Sequence, residues 1–240
     1  MKKKVVVIIQ AHMSSTRLPG KVLLDVKGAP ALYRMIERVR LCKTVDDIVV
    51  ATSTLPCDDV IVEKCKEWGV NCFRGSDSDV LERYWGTAQA YPADVYVRLT
   101  SDNILTCRTI IDTTIEFYLN NSYRYVAATA CPLGLSAEIF GYDLIKEAYN
   151  NATEPYQHEH VTPYMYQVNQ SMFRLPYDKT TAHYRLTMDT REDYEAVSAV
   201  YDHLYTPGNT FDVDDIINLL RAHPEITEIN SGIQQKKLMV

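Results

Sequence analysis

The sequence predicts an α/β protein whose mostly parallel, mixed sheet is covered by helices on both faces. Three observations predict it. Short continuous runs of β-branched residues have strand length and no polar face, the pattern of strands buried on both sides. Between them lie stretches with apolar residues at i, i+3, i+4 and i+7, the stripe of an amphipathic helix. The two patterns alternate through the first part of the chain, the signature of βαβ units. At 240 residues, 46% hydrophobic and 23% charged, the chain can bury a substantial core and has neither a disordered nor a fibrous composition.

Taken in order, Val5-Val6-Val7-Ile8-Ile9 reads as the first strand. Leu32, Met35, Ile36 and Val39 form the first helical stripe, led by Pro30. Ile48-Val49-Val50-Ala51 is the second strand, and Ile61, Cys65 and Trp68 mark the next helix, with Gly69 placed as its C-terminal stop. A strand around Val70 to Phe73 leads to a helix carrying Leu81, Tyr84, Trp85 and Ala88, then to the strand Val95 to Leu99. The second half is less regular. Tyr125 to Thr129, Ala137 to Phe140, Met172 to Leu175 and Tyr184 to Met188 read as strands, and Leu144 to Tyr149 as a short helix. Val213, Ile216, Ile217 and Leu220 repeat the helical stripe, with Pro224 close behind. No linker, low-complexity tract or internal repeat interrupts the chain, which therefore reads as a single domain over 1–240.

The net charge of −6 is unevenly spread: Lys2, Lys3, Lys4, Arg17 and Lys21 all precede the first acidic residue, Asp25. An acidic protein with a locally basic first loop suits one small anion site better than a nucleic-acid surface, which would spread positive charge over a face. No apolar run approaches the roughly 18 residues of a spanning helix, and the basic start is not followed by a signal-peptide core. A cytoplasmic protein with no membrane or nucleic-acid partner is expected. The six cysteines (Cys42, Cys57, Cys65, Cys72, Cys107 and Cys131) contain no C-x-x-C pair and no zinc spacing, and are expected to be reduced.

In parallel sheets ligands bind at the carboxyl ends of the strands. Two loops fall there, Gln10 to Lys21 and Thr100 to Leu105. The first matches neither G-x-G-x-x-G nor G-x-x-x-x-G-K-[ST]. It still has small hydroxyl residues and two cations four positions apart: Arg17 could grip phosphate oxygens as a fork, and Lys21 could act as a mobile point charge. A solvated turn with surface cations fits the composition equally well.

Ile8 to Leu23, running I-I-Q-A-H-M-S-S-T-R-L-P-G-K-V-L, resembles the opening of the cytidylyltransferase family that includes the CMP-KDO and CMP-acylneuraminate synthetases. Within that family it is nearest to the spore coat polysaccharide biosynthesis branch. The resemblance continues in order through Val49 to Thr54 with Asp58-Asp59, Phe73 to Ser76 with Asp79 to Tyr84, and Arg98 to Asp102. It extends to Gly134 with Glu138, Glu159 to Pro163, and Arg185 to Thr190 with Asp193. It implies a Rossmann-like nucleotidyltransferase fold, a three-layer αβα sandwich. The nucleotide-binding part would cover about 1–105, the acceptor part about 106–200, and C-terminal helices about 191–223. The implied reaction is attack of a sugar or sugar-acid hydroxyl on the α-phosphate of CTP, releasing pyrophosphate in surface polysaccharide or glycoconjugate biosynthesis. Such chemistry needs charge neutralisation and in-line positioning more than a covalent catalyst.

By the same resemblance, Arg17 and Lys21 hold the triphosphate, with Lys21, Asp102 and Arg17 catalytic. Gln10, Ala11, His12, Ser14, Ser15, Thr16, Ser53, Arg74 and Ser101 line the nucleotide. Gly134, Glu138, Glu159 and His160 fall on the acceptor side, where His160 could be a base or a hydrogen-bond donor. Asp102 and Asp189 are the implied Mg²⁺ carboxylates. For an Asp after a strand the plainer reading is an Asx-turn or a helix cap, and for Asp189 a cap is close at hand. Homodimerisation is also implied, and the seventeen tyrosines would suit packing and such an interface.

Four residues depart from the family pattern around this loop cluster. His12 stands in place of Arg, Ser14 in place of Gly, Ser101 in place of Gly, and His158 in place of Arg. If position 14 needed a positive φ, a Cβ there would cost on the order of 1 kcal/mol. Two other readings stay open on the sequence alone. A nucleotide-sugar-dependent glycosyltransferase would use a D-x-D pair, which Asp77-Ser78-Asp79 matches, although that tripeptide reads better as a turn and cap before the Val80 helix. A non-catalytic nucleotide-binding member is the other.

Overall fold

The computed structural model describes residues 2–169, 172–175 and 181–235. β1 (Val5–Gln10) is followed by a long loop, a single 3₁₀ turn (Lys21–Leu23) and a two-stranded hairpin of β2 (Asp25–Val26) and β3 (Ala29–Pro30). Then come α1 (Ala31–Val39), β4 (Asp47–Ser53), α2 (Asp59–Trp68), β5 (Asn71–Gly75), α3 (Val80–Ala90) and β6 (Val95–Thr100). The second half comprises α4 (Arg108–Asn120), β7 (Tyr125–Thr129), β8 (Glu138–Gly141), α5 (Tyr142–Asn151), α6 (Pro155–His160), α7 (Pro163–Val168) and β9 (Met172–Arg174). The helices α8 (Arg191–Leu204), α9 (Val213–Ala222) and α10 (Pro224–Glu228) close it.

Seven strands form one sheet in the order β5-β4-β1-β6-β8-β7-β9. The first four are mutually parallel. β8 runs antiparallel to both β6 and β7, and β9 lies parallel to β7. Alternate residues of β1 explain its unbroken apolar run. Val5, Val7 and Ile9 pack with α1, α2, α4, α8 and α9, whereas Val6 and Ile8 pack with α3, α5 and α7 on the opposite face. Both sides are therefore dry, and the sheet is the middle of three layers. Within α1, Leu32, Met35, Ile36 and Val39 are all fully buried. Gly69 ends α2 at φ 63°, a left-handed conformation that glycine adopts without steric cost.

The chain leaves β1 toward β4 and β5, then returns through α3 to β6 on the other side of β1. The sheet thus has its switch point between β1 and β6, where parallel α/β sheets open a crevice at their carboxyl edge. Gln10 and Thr100 are register partners at that edge, and the Ser101 amide donates to the Gln10 carbonyl at 3.0 Å. No helix among the described residues is long and apolar enough to cross a membrane.

Two kinds of feature differ from the sequence expectation: one expected strand is absent, and α4, α6, α7, α10 and the β2–β3 hairpin were not expected. Tyr184 to Met188 is not a strand; it makes a single bridge, Arg185 to Leu133. The Leu133 amide donates to the Tyr184 carbonyl at 3.0 Å and the Leu186 amide to the Leu133 carbonyl at 2.8 Å. Beyond those two bonds the chain turns away, so that the Met188 amide reaches the Asp102 carbonyl at 2.9 Å. The alternation of Tyr184, Leu186 and Met188 thus reports burial of alternate residues without a strand partner long enough to extend the ladder. α4 belongs to the second kind. Its hydroxyls fold back on the helix, Thr113 to the Thr109 carbonyl and Thr114 to the Ile110 carbonyl, both at 2.6 Å, and these polar residues interrupt the apolar stripe.

Gly134 makes the contact with the 184–188 segment. Its φ is 100°, and a Cβ would lie 2.7 Å from the Leu186 carbonyl and 2.8 Å from the Thr187 amide nitrogen. Backbone cannot yield to such overlap cheaply. Gly134→Ala is expected to lower unfolding stability by about 2 kcal/mol or more in urea titrations. An unchanged midpoint would show that the segment is not clamped there.

Candidate active site

Lys21 enters the site from the 3₁₀ turn, and only 6% of the residue is exposed. Its ammonium donates to Asp189 Oδ1 at 2.9 Å and lies 3.4 Å from Asp102 Oδ2. Arg17 Nη2 reaches the same Asp189 oxygen at 3.1 Å, and Arg185 Nη2 approaches Asp189 Oδ2 at 3.3 Å. Arg185 also forks onto Asp193 with two bonds of 2.8 Å, and Asn230 donates to Asp193 at 2.9 Å. Arg17, Lys21 and Arg185 thus face Asp102, Asp189 and Asp193 in one balanced cluster. For Asp189, burial would raise the pKa, but Lys21, Arg17 and Arg185 outweigh it and hold the carboxyl below its ordinary value. Asp193 follows the same logic, its burial outweighed by Arg185 and Asn230.

Asp189 is not a helix cap. Thr190 caps α8, its hydroxyl accepting the Asp193 amide at 3.3 Å while Asp193 accepts the Thr190 amide at 3.1 Å. That reciprocal box leaves the Asp189 carboxylate turned to Lys21. Asp102 follows β6 directly and accepts from the Thr100 hydroxyl at 2.5 Å. Its loop is held from below, where Arg38 Nε donates to the Thr106 carbonyl at 2.6 Å and the Tyr201 hydroxyl to the Ile104 carbonyl at 2.9 Å.

The loop after β1 closes on itself through the Gly20 amide, which donates to the Met13 carbonyl at 3.1 Å. Its start is pinned by Asp58, a buried carboxylate that accepts the Met13 amide at 2.7 Å and the Ser53 hydroxyl at 2.5 Å. Ser53 therefore serves the loop's anchor. Ser14 has no positive φ, so its Cβ costs no backbone strain. His12 Nδ1 pairs with Ser14 Oγ at 2.8 Å. Burial and the nearby Lys21 charge push its pKa down, so the ring is neutral at pH 7 and does not reproduce an arginine's charge. Ser15 Oγ accepts the Leu18 amide at 3.4 Å, while Thr16 and Arg17 are exposed. Ser101 is buried on Gln10. Arg74 is turned to the β4–α2 connection, binding the Ser53 and Leu55 carbonyls at 2.9 Å and Asp59 at 2.7 Å.

A cleft of about 330 Å³ adjoins this loop, walled by Gln10, Ala11, His12, Ser14, Glu159 and His160 together with Asp77, Val80 and Arg83. Glu138 lies in the neighbouring polar knot on β8. Its oxygens accept from Arg98, from the Tyr125 hydroxyl at 2.5 Å and from the Thr162 hydroxyl at 2.8 Å. Val161 joins the two regions at φ 70°, ψ −56°, with the Thr162 amide on the His160 carbonyl at 2.8 Å. This γ-turn is strained for a β-branched residue, and its position between His160 in the cleft and Thr162 on Glu138 is where such strain is found. Asp79 caps α3, accepting the Glu82 amide at 2.8 Å, and its other oxygen pairs with His158 Nδ1 at 2.8 Å. The D-x-D tripeptide is therefore committed at its second carboxylate, and His158 ties α6 to α3.

The structure brings Arg17, Lys21, Asp102 and Asp189 into one cluster, and Gln10, Ala11, His12, Ser14, Glu159 and His160 into one cleft. Gly134, Ser53 and Arg74 act on the supporting loops. Asp58 and Arg83 fell within the blocks that resemble the family, but the sequence assigned neither a role in the site. The role of each depends on what it packs against, Asp58 on Met13 and Ser53 and Arg83 on the cleft, which spacing does not report.

A basic loop after β1, a pair of hard carboxylates and a cleft at the switch point suit an α/β enzyme that handles nucleotides. The family model described as cytidylyltransferase matches residues 6–211, and the chain belongs to that family of nucleotidyltransferases. It is 40% identical over 238 residues to an uncharacterised protein of Methanocaldococcus jannaschii, covering 97% of each chain. It is 34% identical to the spore coat polysaccharide biosynthesis protein SpsF of Bacillus subtilis, covering 91% of this chain and 94% of that one. A cytidylyltransferase structure from Leptospira borgpetersenii superposes with a TM-score of 0.86 at 30% identity, over 99% of this chain and all of the other.

Because Asp189 has a lowered pKa in the folded state, its contribution to stability is present above its unfolded value near ~3.9 and is lost as pH falls through the lower folded one. Asp189→Asn is expected to lower stability at pH 7 by roughly 3 kcal/mol, since three cations lose a shared partner. The gap from wild type is expected to close below about pH 4. A gap that does not change with pH would contradict a charged Asp189.

Proposed function

We propose that this protein is a Mg²⁺-dependent cytidylyltransferase that transfers CMP from CTP to a sugar or sugar acid, releasing pyrophosphate, in surface polysaccharide or glycoconjugate biosynthesis. The observation that carries the proposal is Lys21 held between Asp102 and Asp189 at the sheet's switch point. Membership of the cytidylyltransferase family supports CTP as the donor, and the named role of the Bacillus subtilis relative supports a polysaccharide pathway.

The donor set suits Mg²⁺. Asp102 and Asp189 offer hard oxygen ligands, and among the described residues no three His, Cys, Asp or Glu side chains group into an all-protein metal cage. Mg²⁺ is commonly held in this way, by one or two carboxylates together with substrate phosphates and water. When bound, it supplies charge neutralisation at the phosphates. The protein's own residues do the rest. In the proposed reaction the acceptor hydroxyl attacks the α-phosphorus, the bond to the bridging oxygen breaks so that pyrophosphate leaves with its electron pair, and the hydroxyl proton passes to water. Lys21 and Arg17, already paired with the carboxylates, balance the charge that develops on the departing pyrophosphate. Gln10, Ala11, His12, Ser14, Ser15, Thr16 and Ser101 shape the nucleotide side, with Ser53 and Arg74 bracing the adjoining loop. Glu159 and His160 face the acceptor side of the cleft, while Gly134 and Glu138 fix the segments behind it.

Pyrophosphate release is expected when CTP, Mg²⁺ and a suitable sugar acid are present, and chelation by EDTA is expected to abolish it. Asp102→Asn is expected to reduce turnover by about 100-fold or more while leaving the far-UV circular dichroism unchanged. Full turnover in that variant would place the metal elsewhere, and turnover with a nucleotide sugar but not with CTP would favour a glycosyltransferase.

A further inference from the structure

The cations of the Lys21 cluster are matched by carboxylates, but the cleft beside them contains one that is not. Arg83 projects from α3 into the cleft wall, and only 3% of the residue is exposed. Its Nε and Nη1 are buried and make no hydrogen bond, and it forms no salt bridge among the described residues. Asp77, Asp58 and Glu82 act on it only through space. The other buried arginines, Arg34 and Arg38, and the partly buried Arg98 and Arg185 are differently placed. Arg34 bonds the Val26 carbonyl, Glu37 and the Tyr205 hydroxyl, Arg38 the carbonyls of Leu105 and Thr106, Arg185 the Asp193 carboxylate, and Arg98 the Glu138 carboxylate.

The fold also holds Arg83 closely. Gly75 at the end of β5 lies against it, and a Cβ there would come within 3.0 Å of Arg83 Cγ and 3.1 Å of its Cα. Only a residue without a side chain lets the strand end approach so near. A desolvated guanidinium with no carboxylate bonded to it opposes folding, and folds retain such a group where an incoming ligand completes it.

We infer that Arg83 is the anion receptor of this cleft and takes an oxyanion of the substrate, either a nucleotide phosphate or the carboxylate of a sugar acid. The inference rests on reading the cleft as the substrate site. It gives the neutral His12 a partner: the permanent charge absent from position 12 is supplied from α3 instead. Asp77 and Glu159 on the same wall disfavour anions, so Arg83 also fixes which part of the cleft an oxyanion can enter.

The test compares wild type with Arg83→Met and Arg83→Lys by calorimetric titration and thermal unfolding, using inorganic pyrophosphate, CTP, cytidine and 3-deoxy-manno-octulosonate as probes. Without ligand, Arg83→Met is expected to melt at or above the wild-type temperature, because it removes an unmatched buried charge. Its affinity for at least one of the three anions is expected to fall by about 30-fold or more, with cytidine binding unchanged and Arg83→Lys intermediate. Loss confined to pyrophosphate and CTP identifies phosphate as the source, and loss confined to the sugar acid identifies its carboxylate. Wild-type affinity for all three anions in both variants overturns the inference, as does an Arg83→Met protein that melts lower yet binds normally. Failure of wild type to bind CTP while pyrophosphate or the sugar acid still separates the variants would count against the proposed donor, not against Arg83. Wild type that binds none of the three overturns both.

Discussion

Everything at the carboxyl edge of the sheet is organised by the buried ammonium of Lys21. It joins carboxylates 81 and 168 residues away in sequence, and so sets the position of the loop after β1, the loop after β6 and the turn into α8 relative to each other. Removing a charge from water is costly, and the arrangement is stable only because every charge in it has a partner. Arg17 and Arg185 share Asp189 with Lys21, and Arg185 is fixed in turn by Asp193. The Met188 amide on the Asp102 carbonyl gives the same registration through the backbone. Take away one carboxylate and several groups lose their match at once.

The same arrangement prepares for a ligand. In the proposed reaction Asp102 and Asp189 would hold the metal ion, and Lys21 and Arg17 would meet the phosphates. The rest of the architecture holds the surrounding loops in place. Asp58 pins the first loop at Met13, Arg38 and Tyr201 hold the loop that carries Asp102, and the turn at Val161 separates the cleft residue His160 from the Glu138 knot. Rigid supports around a paired charge cluster are what an enzyme that works by positioning and electrostatics needs.

The first half of the fold was legible because strands covered on both faces must be continuously apolar, and β1, β4 and β6 have no alternative partner for such runs. Helix ends were legible where one residue type is required, as at Gly69 and Asp79. Tyr184 to Met188 was misread because alternation reports burial, while a strand also needs a neighbour, and Leu133 provides only one bridge. In the site, Lys21, Arg17, Asp102 and Asp189 could be named from an ordered set of motifs, but not their mutual pairing, which depends on contacts between distant segments. Asp189 looked like a cap until Thr190 and Asp193 were seen to fill that role. Arg83 was hidden for a different reason: an arginine on a helix is usually solvated, and only its burial without a partner makes it unusual.

The central claim, that Lys21 and Asp189 form the bond on which the site's geometry depends, is tested most directly by a double-mutant cycle. Unfolding free energies would be measured in urea for wild type, Lys21→Met, Asp189→Asn and the double variant at pH 7. A coupling of about 2 kcal/mol is expected, with the double variant far less damaged than the sum of the two single changes. Strictly additive effects, with no coupling between the two positions, would contradict the account.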